Sequence, residues 1–206
     1  IDQDCDLFEW VVMDGGSDDG TRELMGKLSL DYEWLKFYSE ADFGFYDAIN
    51  KALKKAEGDF YLVVGADDTL DKSAISNYLR EVVKKPEVDV VLSKVLKNGV
   101  ICGGFYPKRS WLGHPQVFRG SHSVGMLIRR ALHDEYGMYS KRFPMLADGY
   151  FLKKLLKSNK VKFIESDFVA GEFALDGMSN TGKLQVLAET WQIQMLTEKK
   201  LCIQVF

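Results

Sequence analysis

The chain has 206 residues, a length close to that of one ordinary domain. Its 27 Lys and Arg residues against 30 Asp and Glu residues give a net charge of −3, and 46% of the residues are hydrophobic. This composition excludes a disordered chain and disfavours a nucleic-acid-binding protein. No apolar run approaches the roughly 20 residues that span a bilayer. Three widely spaced cysteines predict neither a disulfide framework nor a zinc site, so a cytoplasmic location is the simplest interpretation.

The first half of the chain alternates predicted strands and helices. The apolar run 8–13 predicts a strand that ends in the polar, Gly-rich loop 14–21, and helix-forming residues follow that loop. A second strand is predicted at 34–38, and the spacing of apolar residues over 44–56 predicts an amphipathic helix. The continuous apolar run 60–64 predicts a central strand that is covered on both faces.

Antiparallel strands are predicted in the second half. A helix at 73–85 precedes two strands, 89–97 and 100–106, which flank Asn98-Gly99, the strongest short signal for a hairpin. Further along, strands are predicted at 124–128 and 161–172, and helices at 148–157 and 183–199. Because no repeat or linker-like segment divides the chain, we predict a single domain over 1–206.

Two adjacent aspartates, Asp67 and Asp68, follow the predicted strand 60–64. Carboxylates this close repel each other unless a cation or a hydrogen-bond donor is present, and Mg²⁺ and Mn²⁺ take carboxylate oxygens as ligands. The pair therefore predicts a divalent metal site. The alternative is an ordinary strand-to-helix turn in which Asp71 caps the next helix.

The loop that begins at Asp14-Gly15-Gly16-Ser17 also has two interpretations. Its glycines permit positive φ angles and a close approach to a ligand, and the Asp14 carboxylate can accept hydrogen bonds from a base or a ribose. The spacing matches neither a P-loop nor a dinucleotide-binding turn. The alternative is a tight turn in which Ser17 or Asp18 caps the following helix.

A third polar segment places Asp42, Asp47, Asn50 and Lys51 around a predicted helix N-terminus. Helix N-termini favour anions because their N–H groups are free and the helix dipole is positive there. The segment therefore predicts an anionic ligand. Asp42 as a simple cap and Lys51 on a solvated face remain alternatives.

Three segments together carry a recognisable pattern: FEWVVMDGGSDDGT at 8–21, SEADFGFYDAINK at 39–51, and AEGDF followed by GADD within 56–68. Their order and spacing resemble the family 2 inverting glycosyltransferases with the GT-A fold. The resemblance extends to 144–152 and 175–179, so it covers nearly the whole chain.

The resemblance implies an α/β fold of the GT-A type, a Rossmann-like mixed sheet flanked by helices. A mostly parallel nucleotide-sugar-binding part, about 1–97, is then followed by an antiparallel part, about 98–206, that binds the acceptor and carries the catalytic base. In the family pattern a further strand and helix precede the segment that here starts at Ile1, and we expect them in the full-length protein.

On the donor side, the resemblance implies that Asp14 hydrogen-bonds the nucleotide base and that Asp67 approaches the ribose. It implies that Asp68 ligates Mn²⁺ or Mg²⁺, with Gly65 standing where many relatives have a third polar residue. The positions that match residues lining the nucleotide-sugar pocket are Asp42, Asp47 and Asn50.

On the acceptor side, Asp148 resembles the general base of the family, although Ala147 stands where an acidic residue is commoner. Inversion at the anomeric carbon needs a carboxylate on the face opposite the leaving nucleoside diphosphate, to take the proton of the acceptor hydroxyl. The structural alternative for Asp148 is a helix N-cap.

The resemblance thus implies a metal-dependent inverting hexosyltransferase that uses a UDP-sugar and a saccharide or lipid-linked saccharide acceptor, in surface polysaccharide or glycan biosynthesis. No nucleic-acid partner is expected, and peripheral contact with the inner membrane and the oligomeric state are left open. Two other hypotheses remain. One is a nucleotide-sugar-binding homologue without turnover, motivated by Gly65, by Ala147 and by the N-terminal strand and helix expected before Ile1. The other is a metal-dependent phosphohydrolase that would use Asp67 and Asp68.

Overall fold

A computed structural model describes residues 2–103, 123–174 and 182–198. Its strands are β1 Trp10–Asp14, β2 Leu35–Ser39, β3 Phe60–Tyr61, β4 Thr69–Leu70, β5 Val90–Lys97, β6 Val100–Gly103, β7 Met126–Arg129 and β8 Phe163–Glu172. Its helices are α1 Thr21–Asp31, α2 Phe45–Lys55, α3 Ala74–Lys84, α4 Leu132–Tyr136, α5 Ala147–Lys157 and α6 Lys183–Thr197.

The strands form two sheets. In the first, β1 and β2 run parallel. The second has the order β3-β7-β5-β8-β4, with β6 also paired to β5. Here β5 and β8 are parallel, and the remaining pairs are antiparallel. The architecture is therefore a mixed sheet arrangement with helices on its faces, as predicted.

The core lies on both faces of the second sheet, because the side chains of β5 alternate between them. Val90 and Leu92 join a cluster under α5 that includes Phe151. Val91 and Val95 join a second cluster under α3. All five side chains are nearly inaccessible to solvent, so burial of their apolar surface contributes strongly to the stability of the sheet.

Most of the predicted elements are present, with ends that differ by a few residues. The hairpin between β5 and β6 is confirmed: Asn98 and Gly99 both adopt positive φ angles, 50° and 73°, as a type I′ turn requires. Parts of the predicted segments 100–106 and 183–199, and all of 175–179, lie outside the described residues.

The prediction of a fully covered central strand at 60–64 is wrong. Only Phe60–Tyr61 pairs, antiparallel to β7, and β3 lies at one end of the described strand order. The residues of this segment are at most partly buried, and Val64 is 40% exposed. A run of apolar residues indicates a strand but does not specify which strands lie beside it. The sequence therefore predicted more strand pairing for 60–64 than the structure has.

None of the helices in the described ranges has the length and apolar character needed to cross a membrane.

Candidate active site

Asp14 ends β1 opposite Ser39, which ends the parallel strand β2. Its buried carboxylate accepts hydrogen bonds from the backbone N–H groups of Gly16 and Ser17, each at 3.0 Å, and from the hydroxyl of Ser17. The hydroxyl of Ser39 donates another at 2.6 Å. These hydrogen bonds, that of the Ser17 hydroxyl first, lower the pKa of Asp14 to about 2. Asp14 is therefore a fixed anion that organises the loop after β1.

Gly15 allows this loop to meet the segment before α2. A Cβ atom at Gly15 would lie 2.7 Å from Oδ2 of Asp42, so any other residue would displace Asp42. Asp42 in turn accepts a hydrogen bond from the N–H of Gly44 at 2.8 Å, and Gly44 has a positive φ angle of 104°. The loops that follow β1 and β2 thus lie against each other, as expected for the carboxyl ends of adjacent parallel strands.

Asp47, in the first turn of α2, connects this region to the loop before α5. Its carboxylate lies 2.6 Å from Nζ of Lys141 and 3.5 Å from Nζ of Lys51, and it accepts a hydrogen bond from the N–H of Phe43. Lys141 first, and then the N–H of Phe43, lower the pKa of Asp47 to about 2. Asp47 therefore remains ionised and holds Lys141 beside the N-terminus of α2.

Asn50 contacts the backbone of Tyr139. Its Nδ2 donates to the carbonyl oxygen of Tyr139 at 2.9 Å, and its Oδ1 accepts from the N–H of Tyr139 at 3.0 Å. Both ends of the buried amide are used in this way, so Asn50 fixes the chain between α4 and α5. A direct contact of Asn50 with a nucleotide-sugar stays a prediction.

Asp148 lies in the first turn of α5, where it is half-buried. Its Oδ1 accepts a hydrogen bond from the hydroxyl of Tyr46 at 2.7 Å and another from the N–H of Gly149 at 2.7 Å. Burial raises the pKa of Asp148, and the hydrogen bond from Tyr46 opposes that rise. A carboxylate with a raised pKa is a suitable general base because it binds a proton more readily than an exposed aspartate.

Asp67 and Asp68 belong to a tight loop over Gly65. A Cβ atom at Gly65 would lie 2.9 Å from Oδ1 of Asp67 and 3.0 Å from Oδ2 of Asp68, so both carboxylates turn over this glycine. Asp68 accepts hydrogen bonds from the N–H groups of Gly65 and of Ala174, just after β8. These two hydrogen bonds connect Asp68 to its own loop and to the end of β8. Neither of them connects Asp67 or Asp68 to the polar residues around α2.

The loop over Gly65 fits a hard divalent cation in its donor chemistry. Asp67 and Asp68 offer only carboxylate oxygens, which are the ligands that Mg²⁺ and Mn²⁺ prefer. Within the described ranges, no group of three or more His, Cys, Asp or Glu side chains could hold a metal. A cation here would therefore take its other ligands from phosphate groups and water, as Mg²⁺ commonly does.

Glu189 on α6 is a site-supporting residue that sequence reasoning missed. Its buried Oε2 accepts hydrogen bonds from the N–H groups of Met145 and Leu146, at 3.0 and 2.9 Å, immediately before α5. These groups precede a helix that has no side-chain cap of its own. No local pattern could have predicted this contact, because Glu189 lies more than 40 residues away in the sequence.

We expect Glu189→Ala to lower the free energy of unfolding by about 1–3 kcal/mol, because two partly buried N–H groups lose their acceptor. Glu189→Gln keeps an acceptor oxygen and should lose less. Urea unfolding measures both variants, with Gln192→Ala on the exposed face of the same helix as the control. Equal stability of Glu189→Ala and Gln192→Ala would contradict the capping role.

The sequence matches the profile of Glycosyl transferase family 2 over residues 1–143. The chain belongs to this family. A relative, the PGL/p-HBAD biosynthesis glycosyltransferase of Mycobacterium tuberculosis, is 29% identical over 153 residues, 72% of this chain and 58% of the relative. A cholesterol galactosyltransferase of Borreliella burgdorferi is 28% identical over 98 residues, 48% of this chain and 24% of that protein. The chain thus spans somewhat more than half the length of the mycobacterial relative.

Solved structures share the fold. S. aureus TarS 1–349 in complex with UDP-GlcNAc aligns with a TM-score of 0.64 at 18% identity, over 98% of this chain and 62% of that one. A mannosyltransferase from Pyrobaculum calidifontis in complex with GDP-Man and Mn²⁺ aligns with a TM-score of 0.68 at 16% identity, over 98% and 59%. These alignments confirm the predicted GT-A fold class.

Proposed function

We propose that this chain transfers a hexosyl group from a UDP-sugar to a hydroxyl acceptor, with inversion at the anomeric carbon and with help from a divalent metal. The observation that carries this proposal is the position of the Asp148 carboxylate, half-buried in the first turn of α5 beside α2. Asp148 lies against α2 through its hydrogen bond to Tyr46, and the residues before and within the first turn of α2, Asp42 and Asp47, belong to the region assigned to the donor.

In the proposed reaction, Asp148 takes the proton of the acceptor hydroxyl while the acceptor oxygen bonds to the anomeric carbon. The bond between that carbon and the diphosphate oxygen breaks, and its electron pair leaves with the nucleoside diphosphate. No covalent enzyme intermediate is needed. The raised pKa of Asp148 favours this role because the carboxylate holds the proton that it receives.

Donor binding is assigned to the loops after β1 and β2. Asp14 would accept a hydrogen bond from the base, and Asp42 and Asp47 would line the sugar side of the pocket. The complexes of related folds with UDP-GlcNAc and GDP-Man support a nucleotide-sugar as the ligand. Because hydrogen bonds from its own loop and from Ser39 already hold Asp14, it would accept the hydrogen bond of the base from a fixed position.

Asp68, with Asp67 beside it, would hold Mn²⁺ or Mg²⁺. When bound, such a cation neutralises the charge that develops on a leaving diphosphate. Asp67 would in addition approach the ribose. The presence of Mn²⁺ in the complex of the Pyrobaculum mannosyltransferase supports a metal in this fold.

The names of two relatives support the proposed class of acceptor. One is named for the biosynthesis of PGL and p-HBAD, and another for the galactosylation of cholesterol. We therefore propose a hydroxyl on a saccharide or lipid-linked acceptor, within surface polysaccharide or glycan biosynthesis. A cytoplasmic protein with peripheral access to the inner membrane would meet such an acceptor.

Binding and turnover can be tested separately with UDP-glucose, UDP-galactose, UDP-GlcNAc and GDP-mannose, each with Mn²⁺. Binding is measured by calorimetry, and the release of UDP or GDP is measured with saccharide acceptors. The NMR coupling constant of the product's anomeric proton reports inversion. Binding of a donor without release or transfer from any of them would favour the non-catalytic homologue instead.

We expect Asp68→Ala to reduce the Mn²⁺-dependent gain in UDP affinity by roughly 10-fold or more, since even residues that only support metal ligands contribute this much. Calorimetric titration of UDP with and without Mn²⁺ measures the gain. Asp134→Asn removes an exposed carboxylate from α4 and is the control. An undiminished manganese effect in Asp68→Ala would show that the metal binds elsewhere.

A further inference from the structure

The hydrogen bonds of Asp148 leave its two carboxylate oxygens in different situations. Oδ1 receives the hydroxyl of Tyr46 and the N–H of Gly149, both at 2.7 Å. No other residue in the described part of the chain donates a hydrogen bond to Oδ2. Two donors on one oxygen fix the orientation of the carboxyl group, so Oδ2 is the oxygen that can receive a proton.

Among the buried phenols in the described part of this region, Tyr46 is the one that donates a hydrogen bond to Asp148, and its hydroxyl also lies 3.5 Å from the carbonyl oxygen of Met145. The hydroxyls of Tyr61 and Tyr139 pair with each other at 2.7 Å, and Tyr61 also contacts Nε2 of His133 at 2.7 Å. These three titratable groups, from β3, α4 and the chain before α5, surround the region but give Asp148 no hydrogen bond. Tyr46 is therefore the side chain that, together with the N–H of Gly149, orients Asp148.

Tyr46 is well suited to remain a donor. It is 8% exposed, and its ring packs edge-on to Phe45 and tilted against Tyr139, with centroid distances of 5.2 and 5.5 Å. Burial raises the pKa of its hydroxyl well above the ordinary value, and the charge of Asp148 adds to this effect. Tyr46 thus keeps its proton and cannot itself accept the proton of a substrate.

We propose that Tyr46 is a positioning residue for the base: its hydroxyl fixes Oδ1 of Asp148 and leaves Oδ2 to take the proton of the acceptor hydroxyl. This inference rests on the proposed function of Asp148. It also connects the two halves of the site, because Tyr46 lies on the helix whose N-terminus is assigned to the donor. Tyr46 touches no reacting atom in this proposal and acts only through Asp148.

The direct test is the titration of Asp148 without substrate. In protein labelled with ¹³C at the aspartate carboxyl carbons, the signal of Asp148 is identified by its absence in Asp148→Asn. We expect Tyr46→Phe to raise the pKa of Asp148, because the hydrogen bond that it removes stabilises the charged form. Tyr78→Phe is the matched control, since it removes another buried hydroxyl, which contacts Ser93 and the carbonyl oxygen of Val124.

A second variant keeps the test decisive even if Tyr46→Phe does not fold. Site-specific 3-fluorotyrosine at position 46 retains the hydroxyl and makes it a stronger donor, so we expect the pKa of Asp148 to fall. Opposite shifts in the two variants support the inference. An unchanged titration in the fluorotyrosine protein, or in folded Tyr46→Phe, overturns it.

The kinetic test separates this inference from the proposed function. In Tyr46→Phe, the decline of kcat/KM on the acidic side should occur at a higher pH than in the parent. At a pH within that decline, kcat/KM should be about two- to ten-fold lower than in the parent. Tyr78→Phe should leave the decline in place. If Asp148→Asn is inactive and Tyr46→Phe leaves the decline unmoved, the positioning role is wrong while the base assignment stands. If Asp148→Asn retains full transfer, the base assignment itself is wrong.

Discussion

Asp148→Asn should reduce sugar transfer by about 10²–10⁴-fold, the usual contribution of a general base, while UDP binding stays within about two-fold of the parent. The amide has nearly the shape of the carboxylate, and its oxygen can still accept from Tyr46 and Gly149. It cannot take a proton from an acceptor hydroxyl. Single-turnover transfer and calorimetric binding of UDP measure the two effects separately. Unimpaired transfer would contradict the role of Asp148.

The same substitution should stabilise the fold at neutral and higher pH. Burial raises the folded-state pKa of Asp148 above its unfolded value, so keeping this group ionised in the folded protein costs free energy. That cost is absent below the unfolded pKa, where both states are protonated, and grows as the pH rises through the folded pKa. Urea unfolding should therefore show Asp148→Asn more stable than the parent at about pH 8, with the difference vanishing near pH 4.

The combination of higher stability and lost transfer in Asp148→Asn distinguishes a catalytic base from a carboxylate with only a structural role. If Asp148 only stabilised the N-terminus of α5 through its negative charge, its replacement by the neutral asparagine would lower stability. A loss of stability in Asp148→Asn at about pH 8 would favour this structural role instead.

Asp14→Asn should lower the free energy of unfolding by about 2 kcal/mol or more at neutral pH, because a charged acceptor of several hydrogen bonds is lost. The asparagine would have one acceptor oxygen and would turn an NH₂ group toward the donors of Gly16, Ser17 and Ser39. Since these contacts also set the loop that we assign to the base of the donor, affinity for UDP should fall as well.

The pH dependence of this effect follows from the pKa of Asp14, which falls from 3.8 to about 2 on folding. A lowered folded-state pKa contributes stability above the unfolded pKa, and that contribution is lost as the pH falls through the folded pKa. The gap between the parent and Asp14→Asn should therefore be widest above about pH 4 and narrow toward about pH 2. Urea unfolding across this range measures it.

Asp18→Asn is the control for Asp14→Asn, because it removes an exposed carboxylate from the same loop. It should change stability by less than about 0.5 kcal/mol, as is usual for surface substitutions. A gap between the parent and Asp14→Asn that stays constant down to pH 2 would mean that the charge of Asp14 does not contribute to stability.

Local patterns in the sequence were enough to locate most elements and the loops that follow β1 and β2. Apolar residues with a period of two or of 3.6 predict strands and helices without knowledge of their partners. Turn chemistry is equally local, which is why Asn98-Gly99 predicted the hairpin correctly. The motif around Asp14 and the segment before α2 could be found together because a family pattern preserves their order and spacing.

Contacts between distant residues were decided only by the tertiary structure. The segment 60–64 contains the residues of a buried strand, yet only two of them pair, since pairing depends on which neighbour lies alongside. Tyr46 and Asp148 are 102 positions apart, and their hydrogen bond forms because α2 and α5 meet in one core. Glu189 caps α5 from another helix. Sequence patterns therefore predicted candidate residues for the chemistry, whereas packing determined which of these residues meet. Such contacts could not be predicted because side-chain contacts across a core leave no periodic signal in the sequence.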